Sequence, residues 1–256
     1  MKIKLSLGLV LLTGIVLTYS GCKKSNNNPS GPALTPKQVS SQIALNLTQT
    51  LYSGFGAFSL GDGLNAPDNL GVVHTKNGLK VNSAGDPLCG LTVDTTLNYS
   101  VSENGTSASV KGTLGFKFTC SNGVISGFNV FDDLAVTEST SEFSGSFKVN
   151  ENLTLLSLDP SNDNSNLSLN GTFGFDGSYK YKSGAATQTF NYTLTSILLD
   201  ANGQILSGNA TFSTKGSGTP GVWDFSGTIK FLGNGNATIT ISGTAYNVNL
   251  QTGVVS

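Results

Sequence analysis

The chain has 256 residues, of which 38% are hydrophobic and only 11% are charged. Its 14 basic residues are all lysine and are balanced by 15 acidic residues. This composition excludes the basic surface that attracts nucleic acid and the arginine clamps that are typical of phosphoryl-transfer sites. The length suits a single all-β domain, and the apolar content is too high and too regular for a disordered protein.

The first 21 residues are predicted to be a secretory signal peptide. Lys2 and Lys4 precede an apolar run, Leu5 to Leu17, that is too short to span a bilayer comfortably. The following Ser20-Gly21-Cys22 resembles the lipobox of bacterial lipoproteins, and Tyr19 in place of the usual Leu resembles the looser boxes of Bacteroidetes-type bacteria. The resemblance implies that Cys22 is lipidated and becomes the mature N-terminus. The alternative is an ordinary signal peptide with an incidental cysteine.

Residues 22–34 are predicted to be a flexible tether, because they are rich in Asn, Ser, Gly and Pro and lack apolar periodicity. Surface-exported lipoproteins of Bacteroidetes resemble one another in acidic residues just after the lipid cysteine. Lys23 and Lys24 occupy that place here. We therefore expect a lipid anchor in the outer membrane that faces the periplasm.

Residues 35–256 are predicted to be one β domain that begins with a helix over residues 35–53. Thr35 is a candidate N-cap, Pro36 suits the first helical position and Gln38 completes a capping box. An apolar stripe at helical spacing should lie on a sheet face or plug one end of a barrel. This stripe consists of Val39, Ile43, Ala44, Leu47 and Leu51.

The stretch from Cys89 to Cys120 predicts a β-hairpin. Apolar residues alternate on both sides of Asn104-Gly105, which is a strong two-residue turn signal. In the register that this turn sets, Glu103 lies opposite Thr106 and Cys89 opposite Cys120. We therefore predict a Cys89–Cys120 disulfide, which an oxidising compartment outside the cytoplasm permits. The alternative is a pair of buried thiols that merely face each other.

Short connections between alternating runs predict an antiparallel up-and-down meander of about ten to twelve strands. It would form a curled sheet or a barrel, with the single N-terminal helix. Residues 72–82 are expected to form a short hairpin and residues 55–71 a long loop. Three loops are predicted to have three residues each: Ser121-Asn122-Gly123, Ala201-Asn202-Gly203 and Gly233-Asn234-Gly235.

Those loops predict particular cross-strand pairs. Phe116 should lie opposite Phe128, Tyr192 opposite Phe212, and Ile229 opposite Ile239. A two-residue turn at Ser242-Gly243 should place Ile239 opposite Tyr246. Glycines at five apolar-face positions should permit the sheet to curl. These are Gly112, Gly145, Gly171, Gly208 and Gly227.

Few residues offer chemistry. His74 is the only histidine, which argues against serine triads and histidine metal sites. Asp132 is in phase with the apolar face and Asp133 is not, so the two should point to opposite faces and not act as a pair. Asp159 to Asn166 has oxygen ligands at alternate positions, but it lacks the closing Glu of a calcium loop and favours a plain turn. We predict no cofactor and no metal.

The function that we expect is non-enzymatic binding of an apolar or amphiphilic ligand by an envelope-anchored lipoprotein. The inward aromatic residues resemble the lining of lipocalins and lipoprotein carriers by pattern alone. The alternative is a structural or interaction lipoprotein that binds a protein partner or a glycan through its polar face or loops. A glycan-active enzyme also stays open. The candidate ligand contacts are Phe116, Phe128, Phe173, Phe190, Tyr192 and Trp223.

Overall fold

The structure is a computed structural model that describes residues 31–52, 59–60, 89–103, 105–162, 164–182, 184–219 and 221–256. The predictions for the signal peptide, Cys22, most of the tether, the 72–82 hairpin and His74 lie outside these residues.

Within the described residues the fold is one helix and one antiparallel sheet. The helix α1 is Pro36–Tyr52. The strands are β1 Thr92–Glu103, β2 Thr106–Ser121, β3 Val124–Ser139, β4 Phe143–Ser157, β5 Leu167–Tyr181, β6 Gly184–Leu199, β7 Ile205–Gly218, β8 Trp223–Gly233, β9 Asn236–Ile241 and β10 Thr244–Asn249. The ten strands follow sequence order in the sheet, so the predicted meander is confirmed. The sheet is open and not closed into a barrel.

The β1–β2 hairpin has the predicted register. Glu103 lies opposite Thr106, and Val93 lies opposite Phe116 at the far end. The disulfide between Cys89 and Cys120 is present, with the two Cα atoms 5.5 Å apart. The alternation of apolar residues and the two-residue turn were therefore sufficient to place these cysteines against each other.

Two of the three predicted three-residue loops are wrong. Ser121 pairs with Val124, and Gly233 pairs with Asn236, so each connection has only two residues. Asn122 and Gly123 have φ values of 53° and 79°, which suits a type I′ turn. The third connection has three residues as predicted, because Asp200 donates its backbone N–H to the carbonyl of Gln204 at 3.0 Å.

A β-bulge follows each of the two shorter turns and restores the expected apolar phase. In the β8–β9 pair the register shifts between Phe231 and Gly233, and Ile229 lies opposite Ile239 as predicted. In the β8–β9 pair the extra residue lies on the strand before the turn, whereas in the β2–β3 pair it lies on β3, the strand after the turn. The partner of Phe128 is therefore Phe118, and the predicted Phe116 pairing is wrong. The Phe116 and Phe128 rings still pack, with centroids 4.4 Å apart. A bulge adds one unpaired residue, and the strand that carries it decides the direction of the shift.

The two remaining pair predictions are confirmed: Tyr192 lies opposite Phe212, and Ile239 lies opposite Tyr246. The curl of the sheet involves close backbone approaches at glycine. A Cβ on Gly112 would lie 2.0 Å from the carbonyl oxygen of Asp133, and Gly112 has a φ of 141°. No other residue fits this position without moving the neighbouring strand.

Helix α1 begins as the sequence predicts. The Thr35 N–H donates to Oε1 of Gln38 at 2.9 Å, and the Gln38 N–H donates to Oγ1 of Thr35 at 3.4 Å. The predicted apolar stripe is buried along its whole length. The helix is joined to the end of the chain, because the Thr48 hydroxyl donates to the carbonyl of Leu250 and the Ser41 hydroxyl to that of Gly253.

We call the sheet face that carries the buried aromatic residues the inner face. It forms one apolar cluster with α1. A helix is about 10 Å wide and ten strands at about 4.8 Å spacing are far wider, so the sheet has to curl for its inner face and the helix to share one core. The opposite, outer face is mostly Ser, Thr, Asn and Lys and is exposed along most strands.

Candidate functional site

The six predicted ligand contacts all lie in the core. Phe116, Phe128 and Phe190 are at most 2% exposed. Tyr192 is also buried, and its hydroxyl donates to Oδ1 of Asn46 on α1 at 2.9 Å. Asn46 belongs to the face of the helix that its sequence marks as polar, yet it is 6% exposed. The bond places α1 against Tyr192, and contact of the six side chains with a ligand stays a prediction.

Trp223 is held by two features at the β7–β8 end of the core. Its Nε1 donates to Oγ1 of Thr214 at 2.9 Å. Its ring covers Gly216, where a Cβ would lie 2.1 Å from a ring carbon. The indole therefore closes the core at this corner, since a buried Trp N–H needs an acceptor and the glycine gives the ring its space.

One part of the inner face that remains open is the rim near the β1–β2 turn. Tyr99 and Val101 on the edge strand β1 are 39% and 38% exposed. Their cross-strand neighbours continue this apolar surface toward β5 at intermediate burial. We call this surface the rim patch; it consists of Leu97, Tyr99, Val101, Val110, Val136, Phe143 and Tyr181. Sequence analysis missed it, because the alternating pattern assigns these residues to the same face as the core.

Glu138 lies on β3, in the middle of the rim patch. It pairs with Ala108 on one side and Gly145 on the other, and Ala108 pairs with Val101. The Glu138 side chain is 6% exposed. Its Oε2 has no hydrogen-bond partner in the described part of the chain. Burial raises the pKa of the Glu138 carboxyl above its ordinary value.

Two tyrosines on β5 lie beyond Gly145. Tyr179 pairs with Gly145, and its hydroxyl accepts a hydrogen bond from Nε2 of Gln188. The Tyr181 hydroxyl is buried and has no partner within the described segments. Burial raises the pKa of both hydroxyls. The rim patch thus combines apolar walls with one carboxyl and one hydroxyl that are poorly satisfied.

A second pair of acids lies deeper on the inner face. Asp132 points inward as predicted and is 6% exposed, while Asp133 is exposed on the outer face. Oδ1 of Asp132 accepts the backbone N–H of Glu151 at 2.9 Å. Glu151 lies directly opposite on β4 and is 3% exposed. A glycosidase needs its two carboxyls on either side of a sugar in an open cleft, which this buried arrangement does not provide.

The Asp159 loop is built as a turn. Oδ1 of Asp159 accepts the backbone N–H of Ser161 at 3.1 Å, and the carbonyl of Asp159 accepts the N–H of Asn162 at 3.0 Å. These bonds use the oxygens that a cation would need. Across the described ranges, no three His, Cys, Asp or Glu side chains are grouped to hold a metal ion.

The outer surface has a groove at the end of strands β8 to β10, with a volume of about 490 Å³. Leu232 and Val254 provide apolar walls and are 51% and 63% exposed. Four asparagines contribute amide groups. They are Asn234, Asn236, Asn247 and Asn249.

Internal hydrogen bonds orient three of these amides. Oδ1 of Asn249 accepts the Thr252 N–H at 2.9 Å, and Oδ1 of Asn247 accepts the Thr238 hydroxyl at 2.9 Å. Asn236 instead uses its Nδ2 as a donor to the carbonyl of Asn234. The described residues that line the groove include no charged side chain. They provide amide N–H donors and an amide oxygen acceptor.

The described part of the chain has no helix that is long and apolar enough to cross a membrane. Comparisons with protein-family models, with curated proteins and with solved structures find no match to this chain.

Proposed function

We propose that the protein is an envelope-anchored, non-enzymatic lipoprotein that binds an amphiphilic molecule on the rim patch. The observation that carries this proposal is the exposure of Tyr99 and Val101 beside the buried carboxyl of Glu138. A group of apolar residues that remains exposed at the edge of a mostly buried face is typical of a binding surface. The signal peptide and the lipobox-like Cys22 support the envelope location.

The rim patch suits a molecule with a short apolar portion better than a wholly apolar one. Its apolar walls lead from the sheet edge to Glu138 along the row Val101, Ala108 and Glu138. A ligand that lies along this row places its tail on Val101 and its polar end at the carboxyl. A wholly apolar ligand would leave the buried carboxyl unsatisfied.

Methyl NMR tests the proposal. The full chain is kept in non-ionic maltoside micelles, with labelled Val and Leu methyl groups, and is titrated with hexanol as a short soluble probe. We expect saturable shifts at Val101 and Val110, and none at Leu232 or Val254 on the outer surface. The Val101→Ser variant should weaken binding, and the matched Val254→Ser variant should not.

Shifts that are equal on both surfaces, or absent from both, would contradict the proposal. If a second copy of the chain covers the rim patch instead, light scattering should show a dimer, and the Val101 and Val110 methyl groups should not respond to hexanol. That result would also remove the ligand from this surface.

The outer groove favours a second candidate function, the binding of a neutral glycan. Its amide donors and acceptor can bind sugar hydroxyls, and Leu232 and Val254 can pack against the C–H face of a sugar ring. Titration with chitotriose, cellotriose and maltotriose should shift the side-chain amide signals of Asn247 and Asn249. The Leu232→Ser variant should lose this response and Leu158→Ser, which changes an exposed leucine outside the groove, should keep it.

A further inference from the structure

We propose that Glu138 recognises an organic ammonium group, which is the head of the amphiphile that binds the rim patch. The inference rests on the proposed function and names the chemical class of its ligand. Three features of the described inner face point to a cation at this position: the burial of the carboxyl, the distribution of the lysines, and the aromatic rings around Gly145.

The carboxyl of Glu138 is in an unfavourable environment without a ligand. The side chain is 6% exposed, and its Oε2 finds no partner among the residues that the structure describes. A buried polar atom of this kind costs free energy unless a hydrogen bond or an opposite charge satisfies it. An unsatisfied buried atom in a native structure calls for an explanation, and a bound ion is one of the known explanations.

The described strands supply no positive charge to Glu138. Every lysine in these strands lies in the phase of the outer face; the six are Lys111, Lys117, Lys148, Lys180, Lys215 and Lys230. The groups that face Glu138 are Ala108 on β2, Gly145 on β4, Val136 on its own strand and, beyond Gly145, the neutral Tyr179. Among the described strands no cation matches the carboxylate, and in this proposal the ligand supplies it.

Aromatic rings form the wall between Glu138 and Tyr179. A Cβ on Gly145 would lie 2.6 Å from a ring carbon of Phe147 and 2.9 Å from one of Phe143. Both rings therefore lean over the glycine that separates the two side chains. The Phe147 and Tyr179 rings pack edge to face, with centroids 5.2 Å apart. An ammonium group between a carboxylate and such rings gains both ionic and cation–π attraction.

Tyr181 adds an acceptor for a primary ammonium group. It lies opposite Phe143 at the end of β5, and its hydroxyl lacks a hydrogen-bond partner among the described residues. The N–H of a primary ammonium can donate to this oxygen, whereas a quaternary ammonium has no N–H to donate. A comparison of primary with quaternary head groups therefore separates the contribution of the Tyr181 hydroxyl from that of the Glu138 carboxyl.

The test compares four probes with the same six-carbon tail on the full chain in maltoside micelles. Hexyltrimethylammonium and hexylammonium carry the cation, hexanol is neutral and hexyl sulfate is an anion. We expect both ammonium probes to bind about tenfold more tightly than hexanol at the Val101 and Val110 methyl groups. Hexyl sulfate should bind more weakly than hexanol.

The Glu138→Gln variant should bring the ammonium and hexanol affinities to within about twofold of each other. It should fold, because it removes a buried charge. Glu142→Gln is the matched control, because Glu142 is an exposed carboxylate that pairs with Lys182; it should keep the preference. Tyr181→Phe should weaken hexylammonium alone, by about threefold.

Equal binding of hexanol and the ammonium probes to the wild-type chain would overturn the inference and leave the proposed function standing. An ammonium preference that survives Glu138→Gln would also overturn it. If none of the four probes shifts the rim-patch methyl groups, the proposed function and the inference both fail.

Discussion

Removal of the Cys89–Cys120 disulfide should destabilise the protein substantially. The bond joins the start of the edge strand β1 to the end of β2. Much of β1 is exposed on both faces, so packing contributes less to holding this strand than it does for the central strands. The change that we consider is the double substitution Cys89→Ser and Cys120→Ser.

The sequence separation of the two cysteines sets the magnitude. The disulfide closes a loop with a separation of 31 residues. In the chain-entropy model a loop of this size corresponds to about 3–4 kcal/mol in the free energy of unfolding. A loss of this size is a large fraction of the stability of an ordinary domain, which is about 5–15 kcal/mol.

Urea denaturation followed by far-UV circular dichroism measures the loss. The reduced wild-type chain should match the double variant, because both lack the bond, while Cys22→Ser should match the oxidised wild type. Hydrogen exchange should show the first loss of protection in β1. A double variant within about 0.5 kcal/mol of the wild type would show that the bond does not restrict the unfolded chain.

Three further predictions concern buried groups. Because burial raises the pKa of Glu138, the folded state holds this proton more tightly than the unfolded chain, and the carboxyl costs stability above its folded pKa. Glu138→Gln should therefore raise the melting temperature at neutral pH but not below about pH 4; a pH-independent change would contradict this. Asn46→Ala leaves the buried Tyr192 hydroxyl without its acceptor and should lower the free energy of unfolding in urea by about 1–3 kcal/mol. The same substitution in a Tyr192→Phe background should cost less, and an equal cost in both backgrounds would contradict the hydrogen bond. Gly216→Ala should displace the Trp223 ring, cost about 1–3 kcal/mol and shift the fluorescence of the only tryptophan, and an unchanged spectrum would contradict the close contact.

Local patterns were sufficient for most of the fold. Period-two alternation identified the strands, and short turns ordered them as neighbours, because a two-residue turn forces the two strands that flank it to pair. The capping box at Thr35 and Gln38 located the start of the helix to within one residue. The same reasoning failed at Asn122-Gly123, because a three-residue loop and a two-residue turn followed by a bulge give the same apolar phase.

The rim patch could not be predicted from the sequence in the same way. Tyr99 and Val101 have the same alternation as the buried Phe116, and only the tertiary structure shows that they are exposed. The environment of Glu138 has the same origin. The alternation assigns Glu138 to the inner face, but no sequence pattern shows that the rings of Phe143 and Phe147 pack over its neighbour Gly145.

The sequence by itself determined the order of the strands, the disulfide and the side of the sheet that becomes the core, because these follow from contacts between residues near one another in the chain. Only the tertiary structure shows that the sheet stays open and that the helix packs into the same core as the inner face. It also decided which inner-face residues remain exposed. These properties depend on the curvature of the whole sheet, which accumulates over its ten strands. Each bulge and each glycine adds to the curvature by an amount that no local sequence pattern specifies.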